Sequence, residues 1–224
     1  MLRRPATLSY MAEPYVPPGG MMDEVDRRWA ACCARNPAYF DGRVCHVIGV
    51  HRNGYGSAVL HVADCAYRFF AVQDETFDLG VRALGVKGLT STNDADHGDH
   101  ADDAEGAVGA WLLGRRSATV GSYAGQWEFA PGGSVEPDRA PAQVVVSELH
   151  EETGLVPLAP PTEIALVFDP VLRCWELIYR LRVNRAHAEA PTDEYSERRW
   201  CRLDDLPEPL TPLARQLIPI AHGL

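Results

Sequence analysis

Apolar residues in the first third of the chain form short runs separated by polar and turn-forming residues, a pattern that predicts β-strands. An Asn53-Gly54 pair between two of these runs is a strong hairpin signal. Together they predict a small antiparallel β unit over about residues 38–80. Its strands are expected at residues 43–50, 57–65 and 67–73.

A helix is predicted just before this unit, over residues 21–35. Acidic side chains lie near its start, and Asn36-Pro37 is a natural stop. Residues 1–20 are rich in proline and glycine, so we expect a flexible arm there. We assign residues 21–83 to the helix and the β unit, and residues 84–224 to a larger second domain.

The second domain combines short strand-like runs with two helical segments. The clearer helix covers residues 141–153, because Pro141 suits a first helical position and Gly154 suits the residue after a helix end. A final helix is predicted at residues 210–222. Strands are expected at residues 107–113, 127–130, 163–168, 174–183 and 200–203.

Residues 93–105 are acidic and nearly free of bulky apolar side chains. Such a segment cannot bury enough surface to fold tightly, so we expect a mobile loop. His97 and His100 lie among its aspartates and suggest a metal site. A polar insertion explains the same composition without a metal.

Composition limits the classes of partner. The chain has 224 residues, 46% of them hydrophobic, and a formal net charge of −10. A core can form, whereas bulk charge does not favour nonspecific binding to DNA or anionic membranes.

The six cysteines have no C-x-x-C spacing, which argues against a structural zinc site. The first 20 residues lack the apolar stretch of a secretory signal, and no run approaches the 18 apolar residues of a membrane span. We therefore expect a cytoplasmic protein with reduced thiols.

The most informative segment is residues 133–155, GSVEPDRAPAQVVVSELHEETGL. Glu148, Glu151 and Glu152 stand at i, i+3 and i+4 of the predicted helix and so share one side of it. Three carboxylates repel one another there, but hard divalent cations such as Mg²⁺ favour oxygen ligands of this kind. A solvated glutamate cluster is the alternative interpretation.

This segment resembles the Nudix box, G-x5-E-x7-R-E-U-x-E-E-x-G-U, in which U is apolar. Gly133 takes the first glycine position and Gly154 the last, and the three glutamates fall on their expected positions. Arg139 replaces the first glutamate of the box and Ser147 replaces its arginine. These two box residues are thought to pair, so their joint loss leaves no unpaired charge. Glu136 with Arg139 is a possible local substitute.

The resemblance extends over about residues 84–222. It includes the runs LLGRR at 112–116, WEFAPGG at 127–133, DEYSE at 193–197 and WCRLDDL at 200–206. It implies an α/β fold, the Nudix α/β/α sandwich around a mixed sheet, with the small N-terminal antiparallel β unit beside it. The small N-terminal β unit followed by the box also resembles the branch of the family related to UDP-glucose pyrophosphatases.

The resemblance implies a metal centre. Glu148, Glu151 and Glu152 would bind Mg²⁺, with Mn²⁺ as a possible substitute, and Gly132 would add a backbone carbonyl. The metal would neutralise a pyrophosphate and polarise the attacking water. The implied activity is cleavage of the pyrophosphate bond of a nucleoside diphosphate linked to another moiety, with nucleotide sugars as one candidate class.

Further roles fall outside the helix. Glu194 and Glu197 are candidates for the catalytic base or an extra metal ligand. Arg115 and Arg116 are candidates for phosphate contacts. Trp127 is a candidate for stacking on a base or sugar, with burial in the sheet as its alternative.

Two other functions stay open. A catalytically inactive Nudix-fold module that senses a nucleotide or binds a protein is compatible with the changes at Arg139 and Ser147. Retention of all three helix glutamates argues against it. A Nudix-type transcription regulator is less favoured, because no basic DNA-binding helix follows residue 206. Assembly as a homodimer is possible.

Overall fold

The computed structural model describes residues 1–37, 39–92, 109–184 and 193–224. The elements in chain order are β1 (Thr7–Tyr10), α1 (Met22–Arg35), β2 (Arg43–Arg52), β3 (Ala58–Ala66), α2 (Tyr67–Ala71), β4 (Leu84–Thr92), β5 (Trp111–Arg116), β6 (Trp127–Phe129), β7 (Gly132–Ser134), α3 (Pro141–Thr153), β8 (Thr162–Asp169), β9 (Cys174–Val183), β10 (Tyr195–Cys201) and α4 (Pro212–His222). The segment 93–105, with its candidate metal site at His97 and His100, lies outside the described residues.

A seven-stranded mixed sheet forms the centre of the second half. Its main order is β10-β5-β4-β9-β8, while β6 pairs with β5 and β7 pairs with β4. The central pair β4–β9 is parallel, and its neighbours add antiparallel strands. Most residues of β4 and β9 are buried, which fits this central position because both faces of the sheet are covered there.

Helices cover the two faces of this sheet. Leu84 and Val86 of β4 share a core with Leu149 of α3. Side chains alternate between faces along a strand, so Leu89 points the other way, into a core that includes Leu217 of α4. The α/β/α sandwich with a mixed sheet is therefore confirmed.

A second, three-stranded sheet has the order β1-β3-β2. The hairpin β2–β3 is antiparallel as expected, but β1 joins β3 in parallel. The expectation of a flexible arm over residues 1–20 is thus wrong for β1. The segment around β1 is also tied to β8, because Leu2 N donates to Ile164 O at 2.7 Å and Ala6 N to Glu163 Oε1 at 2.6 Å.

The strand expected at residues 67–73 is instead the short helix α2. Phe69 and Val72 are both buried, and their three-residue spacing places them on one helix side. Asp41 Oδ1 accepts a hydrogen bond from Arg68 N at 2.9 Å in the first turn. A short apolar run does not distinguish a strand from a helix, and the burial of these side chains together with this long-range hydrogen bond favours the helix.

The two sheets share one hydrophobic core, to which Val47 and Leu60 contribute from the small sheet and Leu112 from the large one. All six cysteines are free in the structure. Among the residues that the structure describes, no helix is long and apolar enough to span a membrane.

Candidate active site

Helix α3 is anchored by its apolar side and delimited by its ends. Pro141 lies in its first turn, and Gly154 ends it in the left-handed conformation at φ 72°. Val145 and Leu149 are buried in the core beneath it. This burial fixes the rotation of the helix and turns Glu148 and Glu152 towards strand β7.

Glu148 and Glu152 converge on the Gly132-Gly133 turn. Gly132 N donates to Glu152 Oε2 at 3.3 Å. A Cβ atom at Gly133 would overlap Glu148 Oε1. Glycine is therefore required for the close approach of backbone and carboxylate.

The third helix glutamate takes a different direction. Glu151 is exposed and does not line the cavity that Glu148 and Glu152 reach. Successive helix positions differ by about 100°, so Glu151 and Glu152 point well apart although each is near Glu148. Within the described ranges, no three His, Cys, Asp or Glu side chains converge as a metal-binding group.

A buried ion-pair network lies beside this pair of glutamates. Glu128 is its centre: its carboxylate lies 3.1 Å from Lys87 Nζ and 2.7 Å from Arg116 Nη1. Tyr195 donates a hydrogen bond to Glu128 Oε1 at 3.1 Å. Arg116 also contacts Glu194 at 2.8 Å, which connects the network to the cavity edge.

Charge pairing outweighs burial in this network. Burial opposes the charge of Lys87, but attraction to Glu128 and Glu176 raises its pKa. Burial likewise opposes ionisation of Glu128, but Lys87 and Arg116 lower its pKa. Both groups are therefore charged near neutral pH.

For the helix glutamates Glu148 and Glu152, the effect of burial on the pKa is larger than that of charge pairing. Burial, with repulsion from Glu151 and Glu194, raises the pKa of Glu148 to about 7. Burial also raises the pKa of Glu152 well above its ordinary value, although Lys87 acts against this. The two carboxylates thus lie where additional positive charge would be favourable.

Glu176 of β9 is a further buried carboxylate in the same cavity. It lies over Gly85 of β4, where a Cβ atom would come within 2.5 Å of its Oε2. Its Oε1 accepts a weak hydrogen bond from Cys174 Sγ at 3.5 Å, whereas Oε2 is buried with no partner among the described residues. Burial raises the pKa of Glu176 to about 7.

The cavity has a volume of about 1210 Å³. Its lining includes a charged region, with Glu148, Glu152, Lys87 and Glu176. A second part of the lining comes from the N-terminal part of the chain, from the end of α1 to the end of α2. Its aromatic members are Tyr39, Phe40, Tyr67 and Phe70.

The two positions that depart from the Nudix box contact each other. Arg139 Nη2 donates to Ser147 Oγ at 3.1 Å, and Arg139 is 4.0 Å from Glu136. The loop before α3 is therefore still joined to the helix at the same two positions. Arg198 of β10 adds a second brace by donating to Glu152 O at 2.6 Å.

Five of the nine sequence-predicted site residues line the cavity: Arg116, Gly132, Glu148, Glu152 and Glu194. Glu151 is exposed, as described above. Arg115, Trp127 and Glu197 also do not line it.

Each of these last three has another local contact. Arg115 Nε donates to Gly125 O at 3.2 Å. Trp127 is 4% exposed and packs in the core, with Arg199 over its ring. Glu197 pairs with Arg199 at 2.6 Å.

Sequence reasoning missed Lys87, Glu128 and Glu176. Each is a charged residue whose neighbours in the strand are apolar or glycine: Val86 and Gly88 beside Lys87, Trp127 and Phe129 beside Glu128, and Trp175 and Leu177 beside Glu176. A charged side chain in such a segment is buried and must find a partner or a function. That interruption was the available signal.

Comparisons with known proteins agree with this architecture. A model of the NUDIX domain matches residues 102–220. Among solved structures, the chain is similar to the NUDIX domain of Shewanella oneidensis NrtR complexed with ADP ribose, with 22% identity, a TM-score of 0.50, and coverage of 70% of this chain and 96% of that one. It is also similar to the MutT protein from Methanosarcina mazei Go1, with 24% identity, a TM-score of 0.48, and coverage of 62% and 92%. No curated protein matches.

Proposed function

Because the chain belongs to the NUDIX family, we propose that it is a Mg²⁺-dependent hydrolase of nucleoside diphosphate derivatives. The bond cleaved is the pyrophosphate bond between the nucleoside monophosphate and the second moiety. The observation that carries the proposal is the convergence of Glu148 and Glu152 on the Gly132-Gly133 turn at the cavity. Residues 84–224 are the proposed catalytic domain.

The donor set fits a magnesium ion that is shared with a substrate. Mg²⁺ is usually held by one or two carboxylates together with phosphate oxygens and water, rather than by a complete protein cage. Glu148 and Glu152 supply two carboxylates, and the backbone of Gly132 is adjacent. When bound, the metal would neutralise the pyrophosphate and activate water. Mn²⁺ is the expected substitute.

The chain's own residues would orient the substrate. Lys87 and Arg116 line the cavity and provide positive charge for phosphate oxygens. Glu194, held by Arg116 at 2.8 Å, is the proposed additional carboxylate at the cavity edge. Arg139 and Arg198 position the loop and the C-terminal turn of α3.

A substrate panel tests the activity directly. UDP-glucose, ADP-ribose, a dinucleoside polyphosphate and NADH would each be incubated with Mg²⁺, with Mn²⁺ or with EDTA. The expected result is metal-dependent release of a nucleoside monophosphate from at least one compound. Binding without release from any of them would favour the inactive nucleotide-sensing module.

Glu152→Gln locates the activity on this helix. The variant keeps the size of the side chain but removes one negative charge, so turnover should fall by on the order of a hundredfold or more. The metal-free protein should be as stable or slightly more stable, because a buried carboxylate is removed. Glu13→Gln makes the same change at an exposed site outside the cavity and should keep parental turnover. Parental turnover in Glu152→Gln at all Mg²⁺ concentrations would place the catalytic centre elsewhere.

A further inference from the structure

The cavity is larger than a pyrophosphate and its metal require. Ligand sites for whole small molecules typically occupy about 300–1,000 Å³, and this cavity measures about 1210 Å³. Its lining includes the charged groups Lys87, Glu148, Glu152 and Glu176. It also includes residues that precede β4, which lie outside the matched NUDIX region.

Most aromatic rings of this N-terminal part of the lining are held by their neighbours. Tyr39 stacks on Tyr67 with ring centroids 6.2 Å apart, and Trp29 meets Tyr39 edge-on at 5.8 Å. A Cβ atom at Gly121 would lie 2.5 Å from the Tyr39 hydroxyl, so the loop after β5 packs closely on this ring. These contacts make a rigid support.

Phe40 is different. Its side chain lines the cavity yet is 79% exposed. It lies beside Gly42, where a Cβ atom would come within 3.3 Å of the ring, and no other aromatic ring of the described residues contacts it. A large, exposed apolar ring that lines the cavity is suited to a planar ligand group.

Two charged side chains of the N-terminal part of the lining are already paired within the protein. Arg43 pairs with Asp64 at 2.5 Å, and Asp74 pairs with Arg28 at 2.6 Å. The cavity lining thus combines charged groups, such as Lys87 and Glu152, with an exposed aromatic ring at Phe40. A nucleotide likewise combines a charged phosphate with a planar base.

We propose that Phe40 is the stacking surface for the nucleobase, so that the N-terminal unit forms the base-binding subsite of the enzyme. This inference rests on the proposed function and names where the nucleoside half is bound. It also replaces Trp127, which is buried in the core, as the base-stacking residue.

Equilibrium binding tests the subsite without turnover. AMP, GMP, CMP and UMP would be titrated calorimetrically into the metal-free full chain, with ribose 5-phosphate as the base-free control. At least one nucleotide should bind more tightly than ribose 5-phosphate. Phe40→Ala should weaken that binding about tenfold, within the range for loss of one base–aromatic stack, and should leave ribose 5-phosphate binding unchanged.

Two matched variants separate stacking from a general effect. Phe40→Trp keeps a flat aromatic surface and should retain at least parental affinity. Tyr55→Ala removes a similarly exposed ring, 76% accessible and outside the cavity, and should change nothing. For any panel substrate that is hydrolysed, Phe40→Ala should raise KM about tenfold while kcat stays near the parental value.

The inference is overturned if the parent binds no nucleotide more tightly than ribose 5-phosphate. Equal nucleotide affinity in Phe40→Ala and the parent also overturns it. If either result is obtained while a panel compound is hydrolysed in a metal-dependent way, only the base-binding subsite is rejected. If no compound is hydrolysed but a nucleotide is preferred in a Phe40-dependent way, the proposed activity is rejected and the subsite is retained.

Discussion

Replacing Glu176 by glutamine should make the free energy of unfolding less dependent on pH. Glu176 Oε2 is buried without a partner among the described residues, and burial raises the pKa of the carboxyl group from 4.5 to about 7. The folded chain therefore favours the protonated form. The stabilising contribution of this group is complete below the unfolded pKa and is lost as the pH rises through about 7.

The size of the effect follows from the pKa shift. Each pKa unit corresponds to about 1.4 kcal/mol, so the ionised carboxylate costs the folded state about 3 kcal/mol once the pH is well above 7. Glutamine has nearly the same shape and no such charge. The variant should be close to the parent in stability near pH 5 and more stable by about 2–3 kcal/mol near pH 8.5.

Urea unfolding of metal-free protein at both pH values measures this difference. Glu13→Gln, at an exposed position, controls for a general change in net charge. Equal stability differences at the two pH values would refute the reasoning. A Glu176→Gln variant that is less stable than the parent near pH 8.5 would show that attraction to Lys87 keeps Glu176 ionised, contrary to the burial argument.

Two further predictions concern the loop and helix around the site. Gly133→Ala should reduce turnover on the order of a hundredfold, because its Cβ displaces the Glu148 carboxylate; Gly49→Ala, with open space around the new Cβ, should keep parental turnover in the same assay. Arg139→Ala and Ser147→Ala, measured singly and together by urea unfolding, should show a coupling energy of about 1 kcal/mol from their hydrogen bond, and strictly additive effects would contradict that contact.

The sequence predicted helix α3 well because its signals are local. Pro141 and Gly154 mark its two ends, and buried Leu149 marks its inner side. The positions of Glu148 and Glu152 relative to each other follow from helix geometry alone. The approach of these two side chains to Gly132 does not follow from helix geometry, because it depends on how β7 pairs with β4 in the sheet.

Residues missed by sequence reasoning are brought together by long-range pairing. Lys87, Glu128 and Glu176 come from three strands, and the partner of each charge is decided by sheet order rather than by spacing in the chain. The change of residues 67–73 from an expected strand to α2 has a similar origin. Burial of Phe69 against the N-terminal core is a tertiary effect that local pattern does not contain.

The arrangement of charge gives the site its chemical character. Two cationic side chains, Lys87 and Arg116, lie in the same cavity lining as four carboxylates. The carboxylates are those of Glu128, Glu148, Glu152 and Glu176. Lys87 and Arg116 are engaged by Glu128, which keeps all three charged. Burial raises the pKa values of Glu148, Glu152 and Glu176, and the attraction of Lys87 offsets this only in part. A chain selected for stability alone would place apolar residues at these positions. The surplus of acidic groups is therefore consistent with the proposed function, in which a cationic ligand and an anionic substrate bind together.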